Sequence, residues 1–153
     1  MNFTDALDKV ATDVKRPPIL PVGTYNWVIK RYEVVDRDEY EILEFQCSCA
    51  GAQEDVDVDD LAAFGRAEGT PQRLSFIFNK GADGESQKRF AQTEFRLKRF
   101  LQDHVGCWKN GMKLKQALDE AVNGRFGGYV SHRSDRNDPD VQYPELSKTF
   151  PLG

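Results

Sequence analysis

Arg125, Tyr129 and Arg133 share one short stretch, Gly124-Arg125-Phe126-Gly127-Gly128-Tyr129-Val130-Ser131-His132-Arg133. Side chains alternate across a strand. With Phe126, Gly128 and Val130 turned inward, the outward row is Arg125, Gly127, Tyr129, Ser131 and Arg133. Cations and a flat ring in one row suit a single-stranded nucleic acid. The guanidinium groups neutralise phosphates, and the ring offers an unpaired base a stacking face worth roughly 1–3 kcal/mol. The glycines leave room for a backbone or base to come close. Lys30 and Arg31 add cations from an earlier β-branched and aromatic stretch, residues 22–35, which also holds Tyr25, Trp27 and Tyr32. Both faces of that stretch are partly apolar, so alternation does not say which one is core. Trp27 reads better as core, and Tyr129 reads equally as core or groove. For Arg125, Arg133 and Lys30, an ordinary solvated surface explains the residue types as well as a groove does.

Other chemistries lack their parts. The chain has no Gly-rich phosphate loop with its Lys, no Gly-x-Ser-x-Gly elbow and no pair of metal ligands at helical spacing, so no enzymatic activity is expected. Cys47 and Cys49 alternate on one strand and could open a zinc site. The only other soft ligands are Cys107, His104 and His132, and no second pair follows at ligand spacing. The expectation is reduced thiols, no metal and no cofactor. His104 falls on or near a core stripe, and His132 is expected to be exposed. Glu54, Asp55, Asp57, Asp59 and Asp60 resemble part of a calcium loop, but the Gly and the closing Glu of that loop are missing. A solvated loop, with Asp59 capping a short helix over 61–64, accounts for them without a cation.

Elements that would position these residues follow from periodicity. The chain has 153 residues and a net charge of −4, enough for one domain with a real core. Residues 1–72 carry 7 basic and 15 acidic side chains, net −8, and residues 73–153 carry 14 and 10, net +4. Such a split permits a basic face on an acidic protein. No apolar run approaches the roughly 18 residues of a membrane span, and the N-terminus has no apolar leader. A soluble, cytoplasmic protein without membrane contact is expected. Phe3, Leu7, Val10 and Val14 predict an amphipathic helix over 4–15 capped by Thr4, and the prolines at 17, 18 and 21 predict an extended arm. Strands are predicted over 22–35, 40–50, 71–79, 124–133 and from 141 to 151. Helices over 87–104 and 112–122 fall between the third and fourth strands. The triplets Leu43/Phe45/Cys47 and Leu74/Phe76/Phe78 should share one core. The fold class is therefore α+β, mainly β: a five-stranded antiparallel barrel of the oligonucleotide-binding type, with a helical insert between strands three and four and a short N-terminal helix. Residues 1–21 form the helix and arm, and residues 22–153 form the domain.

In several stretches the chain resembles small phage-encoded single-stranded DNA-binding proteins with the oligonucleotide-binding fold. The resemblance rests on Val22-Gly23-Thr24-Tyr25, Phe95-Arg96-Leu97-Lys98-Arg99-Phe100-Leu101, residues 114–122 and Gly124-Arg125-Phe126-Gly127-Gly128-Tyr129-Val130, followed by a polar turn and a proline-terminated last strand. It implies sequence-independent binding of single-stranded DNA in phage replication or recombination, with phage replication proteins and further copies of itself as partners. Lys30, Arg31, Arg125, Tyr129 and Arg133 are the expected contacts. The acidic tail common in such proteins is absent, and the acid lies instead in residues 53–60. Two other classes fit the same features. One is a virion structural protein, a capsid-decorating or adaptor subunit whose proline arm lies across a neighbour. The other is an inhibitor whose acidic loop mimics DNA.

Overall fold

A computed structural model describes residues 2–14 and 16–153. Five strands form one antiparallel sheet in the order β3-β2-β1-β4-β5. They are β1 (Gly23–Asp36), β2 (Tyr40–Ala52), β3 (Pro71–Asn79), β4 (Arg125–Ser134) and β5 (Gln142–Phe150). The expected insert between β3 and β4 is present as α3 (Gly84–Arg99) and α4 (Leu114–Ala121), preceded in the chain by the short α1 (Phe3–Ala6) and α2 (Val58–Phe64). No helix among the described residues is long and apolar enough to cross a membrane.

The strands form where β-branched and aromatic residues alternate, and the buried row on each identifies the core face. That row is Tyr25, Trp27 and Ile29 on β1, Leu43, Phe45, Cys47 and Cys49 on β2, and Phe126 and Val130 on β4. Leu43 is opposite Phe76 and Phe45 is opposite Leu74, so the two triplets do share a core. Register shifts at Asn26/Trp27 and Ile29/Arg31 interrupt the β1–β2 ladder. Such shifts bend a strand and steepen its twist. They accompany a division of β1: its first half, Gly23 to Val28, pairs with β4, while β2 continues beside it to Asp36.

Phe100 closes the core from the helical side. Its ring lies 5.3 Å from Phe45, 5.6 Å from Phe76 and 5.0 Å from Phe126, centre to centre. It gets there because α3, capped by Asp83, continues into a π-helical turn over Phe100–His104. The Val105 amide donates to the Phe100 carbonyl at 2.9 Å, and the wider turn brings Phe100 and Leu101 inward together. Gly106, at φ +79, ends it, a conformation that costs other residues strain.

Three local expectations are corrected. The N-terminal helix spans only Phe3–Ala6, capped by Asn2 rather than Thr4, with a 3-10 turn over Ala11–Asp13. Its apolar residues pack on nothing and stay exposed, and an isolated helix this short lacks the packing that stabilises most helices. Lys15, the expected end of that helix, lies outside the described residues. The cap of α2 is Asp57, which accepts from the Asp60 amide at 2.9 Å, rather than Asp59. His132 is half-buried, not exposed: its Nε2 meets the Leu20 carbonyl at 2.8 Å, which makes that nitrogen a donor. With the Tyr25 hydroxyl donating to the Pro21 carbonyl at 2.7 Å, it ties the end of the arm to the sheet.

Candidate nucleic-acid interface

The sheet is curved but its outer edges are not laddered together among the described residues. β3 and β5 run in the same direction, because each is an even number of antiparallel pairings from β1. They approach closely enough for the Gln72 side-chain amide to donate to the Pro144 carbonyl at 3.1 Å. Between them, and under the end of α3, lies an open cleft of about 680 Å³. Its floor is apolar, made of Leu74, Phe76, Phe100 and Leu146. Its walls carry Arg73, Arg96, Arg99, Arg133, Lys148 and His104, with Glu145 the one carboxylate.

Each cation is there for a local reason. Arg73 points outward because Leu74, Phe76 and Phe78 take the inward positions of β3. Arg96 and Arg99 are three apart, hence on one face of α3. The Arg96 guanidinium lies 5.5 Å from the Phe76 ring centre, where the ring face attracts a cation. Lys148 sits at φ +49, unusual for a residue with a β-carbon. Gly127 pairs with Phe150 and Tyr129 with Ser147, so β5 has one residue more than β4 over that step. This bulge swings the Lys148 ammonium to 5.4 Å from the Tyr129 ring centre. Arg133 stands 3.8 Å from Glu145 with both side chains exposed, a pair too solvated to cancel its charge.

His104 is the titratable member. Its Nδ1 is 2.8 Å from the Thr149 hydroxyl and its ring stands edge-on to Phe100. Burial, and then the neighbouring Arg99, hold its pKa below the ordinary histidine value. The ring is therefore neutral near pH 7 in the free protein, and an anion in the cleft would favour its charged form.

The five residues expected from sequence fall in two places. The register sets Val28 opposite Arg125 and Thr24 opposite Tyr129. Lys30 and Arg125 thus share one end of the β1–β4 seam, with Arg31 beyond them. Arg133 is eight residues from Arg125, about 26 Å along the strand, and belongs to the cleft. Arg31 is engaged locally, its Nε donating to Gln46 at 2.8 Å, and the Gln46 amide donating in turn to Glu33 at 3.3 Å. Tyr129 is half-buried between the two places, under Lys148. The glycines prove to be filled from within. A β-carbon on Gly127 would overlap the Phe150 ring, and one on Gly128 would stand 2.5 Å from Leu146. They admit the chain's own side chains, not an incoming base.

The acidic loop lies against the seam. Asp55 accepts from the Thr24 amide at 2.9 Å and from its hydroxyl at 2.7 Å, and these bonds hold its pKa below the usual carboxylate value. Thr24 is the residue opposite Tyr129, so negative charge flanks the seam, while no residue of this loop lines the cleft. Cys47, Cys49 and Cys107 are buried free thiols. Burial pushes Cys47 up to about 12, which leaves it protonated and unreactive. Among the described residues no group of three or more His, Cys, Asp or Glu is placed to hold a metal ion.

Sequence reasoning missed Arg73, Arg96, Arg99 and Lys148 as a set. The signal was present in pieces, as the outward row of β3 and the basic end of α3, but separate segments supply it. No protein-family profile matches the chain. No curated protein matches its sequence significantly.

Proposed function

We propose that this protein binds single-stranded DNA without sequence preference, as an accessory of phage DNA replication or recombination, and that the strand lies in the β3–β5 cleft. The observation that carries the reading is the charge of that cleft: five permanent cations face one carboxylate over an apolar floor. The protein as a whole is acidic. Phosphates bind where counterions are released from clustered Lys and Arg. Arg73 and Arg99 contact the backbone, Arg133 and Lys148 continue the track, and Tyr129 beside Lys148 offers a partly open ring to a base. Oligonucleotide-binding barrels use comparable surfaces around their second and third strands and the adjoining loops.

The virion-subunit reading has one observation in its favour, the exposed apolar N-terminal segment. Polarisation titrations of labelled oligo-dT and a mixed-sequence strand, at two salt concentrations, separate the two. Binding to both strands that weakens steeply with salt is expected. A folded sample that binds neither at low salt removes the DNA reading and leaves the virion subunit.

A further inference from the structure

Residues 2–14 have an apolar side that nothing in their own chain covers. Phe3 is 79% exposed, Leu7 65%, Val10 60% and Val14 65%. Asp5, Asp8 and Asp13 intersperse with them against the single Lys9, ahead of Lys15 and Arg16 in the sequence, so residues 2–14 are apolar and acidic. A second uncovered surface has the opposite character. α3 carries five cations and two carboxylates, and its Phe90 and Phe95 are 41% and 60% exposed. Two open grooves flank it. One, of about 500 Å³, is lined by Arg89, Phe95 and Arg96. The other, of about 380 Å³, is lined by Phe78 and Phe90 with Lys80 and Glu41, and Lys80 is already paired with Asp36. The first groove thus pairs an aromatic ring with cations, as the segment pairs apolar side chains with carboxylates.

We infer that the N-terminal segment of one copy docks on the α3 face of a second copy of this chain. Charge and apolarity match between the two surfaces, and within a single chain both stay open, so the contact lies between molecules. The two patches differ, which makes the contact heterologous: each copy offers a free segment at one end and a free face at the other. Such contacts propagate into rows unless they close into a ring. The contact needs no DNA, and Arg96 is the one residue that borders both its groove and the cleft.

Sedimentation velocity of the full chain in DNA-free, low-salt buffer, over a wide range of protein concentration, tests it. Association that rises with concentration is expected, weakened about tenfold or more by Leu7→Asp and likewise by Phe95→Asp, since central apolar anchors dominate interfaces. Both positions are exposed, and circular dichroism checks that the variants are folded. Charge reversal separates this pairing from any other. Asp8→Lys with Asp13→Lys should weaken association, Lys88→Glu with Arg89→Glu should weaken it too, and all four together in one chain should restore most of it. A monomer at every concentration overturns the proposal. So does self-association indifferent to both sets, or a change in compactness on Leu7→Asp that does not depend on concentration, which would place the segment on its own chain.

Discussion

The β1–β4 seam and the β3–β5 cleft are built from similar residue types and end in opposite conditions. At the seam the backbone is laddered from Gly23/Val130 to Val28/Arg125. Its glycines are filled by Phe150 and Leu146, and Asp55 is bonded to Thr24 beside it. At the cleft the two strand edges meet through one side chain, so backbone groups and five cations remain without a counterpart of comparable charge. A cation marks a binding surface only where the fold leaves it open and unopposed. Arg31, held by Gln46, and Arg99, facing the cleft, would look alike if charge alone were counted.

The largest effect expected concerns the element that separates the two regions. Phe100 is both the centre of the aromatic core and the floor of the cleft. Phe100→Ala should destabilise the fold by about 3–5 kcal/mol, read by urea unfolding. A loss under about 1 kcal/mol, small for a truncated buried ring, would show that the floor is not shared with the core.

Next is the packing of the seam. Gly128→Ala forces a β-carbon against Leu146 and Trp27 and should cost about 1–3 kcal/mol through overpacking. An unchanged unfolding midpoint would mean that the seam has room to spare, reopening it to a ligand.

A smaller effect follows from His104. Its pKa is lowered by burial and by Arg99, so the free protein takes up little proton there just below the usual histidine value of about 6.5. Bound phosphate favours the charged ring, so DNA affinity should increase as pH falls below the ordinary histidine value of about 6.5, and the increase should vanish in His104→Gln. The same lowering acts on stability with one sign: the folded pKa lies below the unfolded value, so the contribution is present above about pH 6.5 and is lost as pH falls. An affinity flat in pH would place the strand away from His104.

The strand ladder was largely legible in the sequence and the cleft was not. Leu43/Phe45/Cys47 and Leu74/Phe76/Phe78 alternate cleanly because one face of each strand is apolar, and that contrast sets register. β1 hid its core face because Val28 is apolar on the face opposite Tyr25 and Trp27, and because the register shift between Ile29 and Arg31 returns Tyr32 to the core side beside Phe45. The N-terminal segment had helical spacing without a surface to pack against, and spacing alone does not sustain a helix. Arg73, Arg99, Arg133 and Lys148 come from four elements, and their meeting depends on how far the sheet curls, which no local pattern encodes. Lys148 depends further on a one-residue bulge. Gly127 and Gly128 look like space for a ligand because sequence shows an absent side chain but not what fills the gap.

The most direct test of the account compares salt dependence of oligo-dT binding in two double variants, Arg73→Ala with Arg99→Ala at the cleft, and Lys30→Ala with Arg31→Ala at the seam. Removing one phosphate interaction with a single strand makes the slope of log affinity against log salt shallower by roughly 0.7. The cleft pair should therefore have a slope shallower by about 1.4 and bind all sequences more weakly, while the seam pair keeps the wild-type slope. The reverse outcome, an unchanged slope for the cleft pair and a shallower one for the seam pair, would place the strand on β1 and β4 and contradict the account.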